Sequence, residues 1–168
     1  MTDLRLDDLR SAAGLGVAGN FAGHLEQAGE AVDFVDVAAP PDAPKGVFPW
    51  YLPGADSFLG IFPLSSDRLR APGLDAPGEL QIEPEAGVLC DLDYDVGGRV
   101  LALAPRALGA FNDCSIRRPG AAKISHKKNW GPDSKGFATR CFEVTDIEPD
   151  GALAALRLAG FLRRDGQA

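Results

Sequence analysis

The sequence has little cysteine, little histidine and no long apolar run. Its three cysteines, Cys90, Cys114 and Cys141, are an odd number without zinc-type spacing, so we expect free thiols. No apolar run approaches the roughly 20 residues that a membrane helix needs. The acidic start MTDLRLDDLR also lacks the basic and apolar regions of a secretion signal. These absences predict a cytoplasmic protein that has no membrane partner.

Basic residues are also fewer than acidic ones. The chain has 17 lysines and arginines against 24 aspartates and glutamates, a formal net charge of -7, which argues against nucleic acid as its main partner. One segment, residues 111–137, departs from this balance because it gathers several cations. They are Arg117, Arg118, Lys123, Lys127, Lys128 and Lys135. An anion- or nucleic-acid-binding loop at residues 117–128 is therefore kept as a minor alternative.

The pattern of turns and apolar runs predicts one β-rich domain. At 168 residues the chain is long enough for one domain with a core and too short to need two. The runs AGVLCDL and RVLALA, separated by the turn signal DYDVGG, predict a β-hairpin. RALGAFNDCS predicts a helix or a further strand. Residues 39–78 are rich in proline, glycine and aromatics, which predicts a packed irregular segment with short strands.

Three carboxylates suggest a metal site. In an extended strand, Glu83 and Glu85 point to the same side, about 6 to 7 Å apart, and repel each other unless a cation lies between them. Mg²⁺ or Mn²⁺ suits such oxygen ligands. Taken alone, the Glu-Pro-Glu sequence is more often a solvated strand face. Asp113, in the sequence FNDCS, would complete three carboxylates around a metal and leave positions for water and substrate.

A metal site would also explain the cations of residues 111–137 as substrate-binding groups. Arg117 and Lys135 beside a metal would receive an anionic substrate that chelates through oxygen. We expect Arg118, Lys123 and Lys128 to belong to a solvated basic loop. His24 has two interpretations, as a polar residue packed near a helix start or as a group that handles a proton or positions water.

Several motifs, in this order, resemble the fumarylacetoacetate hydrolase superfamily. GLGVAGNFAGHLEQAG is similar to its glycine-rich strand followed by Asn-Tyr-x-x-His-x-x-Glu, with Asn20, Phe21 and His24 matching. The sequence EPE before an apolar strand resembles its Glu-x-Glu metal pair, and NDCSIR its Asn-Asp-x-Ser-x-Arg. WGPDSKGFAT is similar to the segment whose lysine contacts substrate. The matches extend from about Gly14 to Thr139.

The resemblance implies an α+β, mainly β fold, a mixed β-sandwich roll with an N-terminal arm at residues 1–13 and a core at 14–168. It implies a site for Mg²⁺ or Mn²⁺, with Ca²⁺ as an alternative, and a small anionic oxo-acid substrate. The implied metal ligands are Glu83, Glu85 and Asp113. The implied substrate-binding residues are Arg117, Lys135 and Thr139, and the implied catalytic residues are His24 and Lys135.

The sequence also departs from the family pattern. Gln27 stands where the family has the helix glutamate, which favours lyase or tautomerase chemistry over hydrolysis because glutamine cannot accept a proton. Family domains continue beyond the point where this chain stops, so we expect a fragment or a reduced roll. The alternatives are a metal-dependent enzyme acting on an oxo-carboxylate and a non-catalytic relative that only binds one. A homodimer is compatible with either.

Overall fold

The computed structural model describes residues 1–19, 40, 44–72, 79–117, 123–151, 153–161 and 163. It is mainly β, with 41% strand and 10% helix. The strands of the described part are β1 (Thr2–Asp3), β2 (Gly14–Ala18), β3 (Gly46–Tyr51), β4 (Leu64–Ser65), β5 (Glu79–Gln81), β6 (Pro84–Tyr94), β7 (Val100–Asn112), β8 (Ser115–Arg117), β9 (Lys135–Phe137) and β10 (Arg140–Glu143). Its helical segments are two 3₁₀ turns, Leu6–Ser11 and Phe58–Gly60, and one short α-helix, α1 (Ser125–Lys128).

Strand β7 is the centre of a curled, mixed sheet. Along one side it pairs with β6, and along the other it pairs with β10 and then β9, all antiparallel. Strand β1 continues the sheet beyond β10, and β4 pairs with β9 in parallel. Two smaller antiparallel pairs, β2 with β3 and β5 with β8, complete the described strands. The predicted α+β, mainly β class is thus confirmed.

The predicted hairpin is formed by β6 and β7, and it is longer than the two apolar runs. Its register runs from Pro84 opposite Asn112 to Tyr94 opposite Val100. In the turn, the Asp95 carboxylate accepts hydrogen bonds from the backbone N–H groups of Gly97 and Arg99, both at 2.8 Å. The segment RALGAFN continues β7, which settles the choice between helix and strand.

The core lies where β9 and β10 pair with β7, near the open end of this hairpin. Ala107, Phe137 and Cys141 are buried together. Around them pack the partly buried residues Leu4, Leu6, Leu9, Leu64, Leu89 and Phe111. Two glycines, Gly87 and Gly109, face each other across the hairpin. A Cβ at either would press on Phe137, so the absence of side chains lets that ring lie on the sheet.

The ends of the described chain are less regular than its centre. The expected N-terminal arm, residues 1–13, consists of the strand β1 followed by a 3₁₀ turn. After Glu143 the described residues form turns and extended chain, without a further strand or helix. Cys90, Cys114 and Cys141 are free thiols, as expected. In the described part of the chain, every helix is too short or too polar to cross a bilayer.

Candidate active site

The candidate site lies where two neighbouring strands leave one sheet and enter another. The pairing of β6 with β7 ends at Pro84 opposite Asn112, and the pairing of β5 with β8 begins at Gln81 opposite Ser115. Glu83 and Asp113 occupy the junction between the two ladders. The backbone N–H of Asp113 donates to the carbonyl of Glu83 at 2.9 Å, so the two residues are adjacent although 30 positions apart.

The side chain of Asn112 fixes this junction. Its amide oxygen accepts the backbone N–H of Glu83 at 3.1 Å and the Sγ–H of Cys114 at 2.9 Å. Both carboxylates at the junction are buried, with Glu83 and Asp113 each 8% exposed. Buried carboxylates require partners, because an unpaired charge away from water is costly.

Lys128, the last residue of α1, supplies the first partner. Its ammonium donates to Glu83 Oε2 at 2.7 Å, to Asp113 Oδ2 at 2.6 Å and to the Asp113 carbonyl at 3.1 Å. An ammonium has three N–H donors, and all three are used here. The residue is only 4% exposed, so this cation lies between the two carboxylates and out of solvent.

Lys135, at the start of β9, supplies the second partner. It is fully buried, and its Nζ lies 2.6 Å from Asp113 Oδ1 and donates to the Cys114 carbonyl at 2.9 Å. Because both side chains are buried, this short contact with Asp113 Oδ1 is an ion pair away from solvent. The same Nζ lies 6.0 and 5.9 Å from the ring centroids of Trp50 and Phe111.

Two further residues hold Glu83. The buried hydroxyl of Ser115 donates a short hydrogen bond to Glu83 Oε1. Arg117 approaches the same oxygen with Nη2 at 3.4 Å and donates from Nε to Gln81 Oε1 at 2.6 Å. Glu83 is therefore bound on both oxygens by three donor side chains, two from β8 and one from α1.

The environment moves the pKa values of the two lysines in opposite directions. Burial lowers the pKa of Lys135, and the Asp113 carboxylate only partly offsets it. Burial also acts against the Lys128 ammonium, but Asp113 and Glu83 together outweigh it and raise the Lys128 pKa. Burial likewise raises the pKa of the Cys114 thiol, so this sulfur is not an activated nucleophile.

A cavity of about 350 Å³ adjoins the cluster. Asp113 lies at its wall with Glu85, which is half-buried. The remaining wall is mainly apolar and comes from the first 3₁₀ turn and from β2, β3, β4, β6, β7 and β9. Its larger side chains include Leu9, Leu15, Trp50, Leu64, Phe111 and Phe137. A cavity with a few polar groups in an apolar wall is the usual form of a small-molecule site.

The loop that joins the two lysines is held to the rest of the molecule. Asn129 donates to the carbonyls of Trp50 and Ile61, both at 2.9 Å, and accepts the N–H of Gly131 at 3.0 Å. Farther along, Arg70 donates to the Asp133 carbonyl at 2.8 Å and forms an ion pair with its carboxylate at 3.1 Å. The ends of this loop therefore present Lys128 and Lys135 to the same aspartate.

The structure brings together four of the residues that the sequence singled out: Glu83, Asp113, Arg117 and Lys135. Glu85 lies on the cavity wall with Asp113. Thr139 is exposed, and its carbonyl accepts the N–H of Leu4 at 2.7 Å. His24 lies outside the described residues, as do Asn20, Gln27 and Arg118.

Lys128 is the residue that the sequence reasoning missed. It was expected in a solvated loop, and that expectation is wrong because the side chain is buried between two carboxylates. One signal was present: Ser125, Lys128 and Asn129 have the i, i+3, i+4 spacing of one helix face, and all three are buried. Lys123, from the same expected loop, is exposed.

The arrangement does not fit a divalent ion between Glu83 and Asp113. Mg²⁺ would need carboxylate oxygens at about 2.0 to 2.1 Å, and the oxygens that face each other here are already bridged by the Lys128 ammonium. Among the described residues, no group of three or more aspartate, glutamate, histidine or cysteine side chains has the geometry to hold a metal.

Comparison with known proteins gives a family without an assigned activity. Residues 30–168 match the model of the family of unknown function DUF5718, and the chain belongs to that family. The matched range includes both carboxylates of the junction and both buried lysines. Searches of curated proteins and of solved structures found no match.

Proposed function

We propose that this chain is an enzyme that acts on a small oxo-carboxylate, with chemistry of the lyase or tautomerase type. The observation that carries the proposal is the fully buried Lys135 ammonium, held by Asp113 beside the aromatic rings of a 350 Å³ cavity. The resemblance of the motifs to the fumarylacetoacetate hydrolase superfamily supports the same substrate class.

The reactions of oxo acids in this class pass through an enolate, whose oxygen carries the developing negative charge. Lys135 and Lys128 supply positive charge that is fixed before the substrate arrives and lies away from solvent. Such preorganised charge stabilises a developing oxyanion more than water does. Arg117 adds a guanidinium, so the cluster contains three cationic side chains and two carboxylates, those of Glu83 and Asp113.

Enolate formation also needs a group that removes a proton from carbon. Glu85 is a half-buried carboxylate on the cavity wall, and it is the described residue that we assign to this step. His24 keeps its predicted role in carrying a proton or positioning water. No step of the proposal uses a metal.

The composition of the cavity wall narrows the proposed class of substrates. Most of its side chains are apolar, so a 2-oxo acid with an apolar substituent should bind better than pyruvate, because the substituent leaves water for an apolar surface. The polar end, at Asp113 and Glu85, would receive the reacting carbons.

Proton exchange tests the proposal directly. In D₂O, the wild-type protein should speed the loss of the C3 proton signal of a 2-oxo acid, followed by NMR, and 4-methyl-2-oxopentanoate should react faster than pyruvate. Lys135→Met should lower the rate by about 10²- to 10⁴-fold. Lys123→Met, which changes an exposed lysine, is the matched control and should retain the rate.

The alternative function, a non-catalytic binding protein, predicts a different result. Saturation-transfer NMR would then detect binding of the oxo acid to the wild type while the C3 proton signal decays at the uncatalysed rate. If neither 4-methyl-2-oxopentanoate nor pyruvate binds or exchanges its C3 protons, the result would contradict an oxo-carboxylate site.

A further inference from the structure

The cluster contains its own cation at the place where the sequence predicted a metal. Lys128 Nζ lies 2.6 to 2.7 Å from one oxygen of each of two predicted metal ligands, Asp113 and Glu83. Its third hydrogen bond, to the Asp113 carbonyl, satisfies the remaining donor. The residue comes from a helix that packs against β3 and β8, and it is 4% exposed.

A divalent ion and this ammonium exclude each other. Both need the same two carboxylate oxygens, and two cations within about 3 Å repel strongly where water does not screen them. The lysine stem reaches the carboxylates from α1, and Asn129, the next residue, is hydrogen-bonded to the carbonyls of Trp50 and Ile61. These hydrogen bonds hold the backbone next to Lys128. If the Lys128 ammonium moved away from the carboxylates, Glu83 and Asp113 would lose the cation between them inside the protein, which is costly.

We infer that Lys128 is a built-in cation that takes the place of the divalent ion, so that the site is assembled without metal. The replacement changes what the site offers its ligand. An ammonium donates single hydrogen bonds and does not chelate, so the two oxygens of an oxo acid gain no bidentate contact here. The inference draws on the proposed function only for the identity of the ligand.

Mn²⁺ alone is the probe for this inference. Thermal unfolding of the full chain is followed after chelator treatment, with and without millimolar Mn²⁺, for the wild type, Lys128→Ala and the double variant Lys128→Ala/Asp113→Asn. Lys123→Ala is the control for loss of one lysine. We expect no Mn²⁺ effect on the wild type or Lys123→Ala.

Lys128→Ala should gain a saturable Mn²⁺ effect, because Asp113 and Glu83 lose the cation that bridges them. At Mn²⁺ about 100-fold above Kd, the midpoint should rise by roughly 5 to 10 °C. The double variant should lose this rise. If Lys128→Ala does not melt cooperatively, Lys128→Gln, which keeps a donor and most of the volume, is measured in its place.

Two results would overturn the inference. A saturable Mn²⁺-dependent rise in the wild type means that metal and Lys128 coexist. No rise in a cooperatively folded Lys128 variant means that the lysine does not fill a cation position. Because no oxo acid is present, these outcomes are independent of the exchange assay, and the proposed function can fail while this inference stands.

Discussion

At the scale of single residues, Asp113 organises the site because each of its carboxylate oxygens contacts the ammonium group of a different lysine. Oδ2 receives a hydrogen bond from Lys128, and Oδ1 forms an ion pair with Lys135. The two ammonium groups would repel each other without the carboxylate between them. A buried arrangement of this kind adds little net stability compared with apolar packing, but the loss of one member is costly. The cluster is therefore better explained by chemistry than by stability.

The lowered pKa of Lys135 predicts how stability changes with pH. Burial lowers its folded-state pKa below the value of 10.5 that an unperturbed lysine has. The unfolded chain thus binds the proton more tightly, so stability rises with pH between the lowered pKa and 10.5. Relative to Lys135→Met, the wild type should gain free energy of unfolding as pH increases across that window. Urea titrations from pH 7 to 10 measure the difference.

The sign of this prediction is specific to Lys135. Lys128 has a raised pKa, so its contribution is complete below 10.5 and is lost only as the pH rises through its folded-state value. A difference between wild type and Lys135→Met that is flat, or that falls toward pH 10, would show that the Lys135 ammonium is not destabilised by burial.

The residue scale also shows where sequence reasoning ends. Glu83, Asp113, Arg117 and Lys135 were identified because they lie in motifs with recognisable spacing. Lys128 was not, since charged residues in a glycine- and proline-bearing segment are usually solvated, and only the fold brings α1 over the strand junction. The helix-face spacing of Lys128 indicates burial, but it does not identify a partner 45 positions away in the chain.

At the scale of elements, the loop between α1 and β9 sets the distance between the two lysines. Asn129 is its first residue, and its side chain makes three hydrogen bonds, two of them to backbone carbonyls on other segments. Because the residue is 3% exposed, water does not replace these bonds when the side chain is removed. The loop should therefore loosen before the hairpin does.

Asn129→Ala should lower the free energy of unfolding by about 3 kcal/mol, because it leaves buried backbone groups without partners. It should also increase amide hydrogen exchange in residues 125–137 while the β6–β7 hairpin keeps its protection. Mass spectrometry of exchanged peptides, together with urea unfolding, measures both effects. Lys123→Ala should change neither, and uniform exchange across the chain would contradict a local role.

Elements were predictable to different degrees. The hairpin was visible because its two apolar runs flank a turn whose aspartate and glycines have defined roles, and the described strands extend it in both directions. The change of sheet at residues 82–83 and 113–114 was not visible. It depends on side-chain contacts such as that of Asn112 with Glu83, which no alternation of polar and apolar residues encodes.

At the scale of the whole molecule, the core and the site share strand β9. Phe137 is central to the buried cluster and also lines the cavity, while Lys135 lies two residues before it on the same strand. In a strand, side chains two positions apart point to the same face. The packing of Phe137 on the hairpin therefore determines how Lys135 is presented to Asp113.

Gly109→Ala tests this coupling. The added Cβ would lie 2.9 Å from Cys141 Sγ and 3.2 Å from the Phe137 ring, closer than normal packing allows. Overpacking of this kind should cost about 1 to 3 kcal/mol, a fall in midpoint of roughly 3 to 10 °C for a chain of this size. If core and site are coupled, the variant should also lose activity toward an oxo acid at temperatures where it remains folded.

Gly97→Ala is the matched control, since its nearest heavy atom is a side-chain oxygen of Asp95 at 3.3 Å in the exposed turn of the same hairpin. It should change the free energy of unfolding by no more than about 0.5 kcal/mol. If Gly109→Ala and Gly97→Ala behave alike, Phe137 tolerates displacement and the glycine pair does not set the packing. If Gly109→Ala is destabilised but retains full activity while folded, the position of Lys135 is instead fixed by its contacts with Asp113 and Cys114, independently of the core.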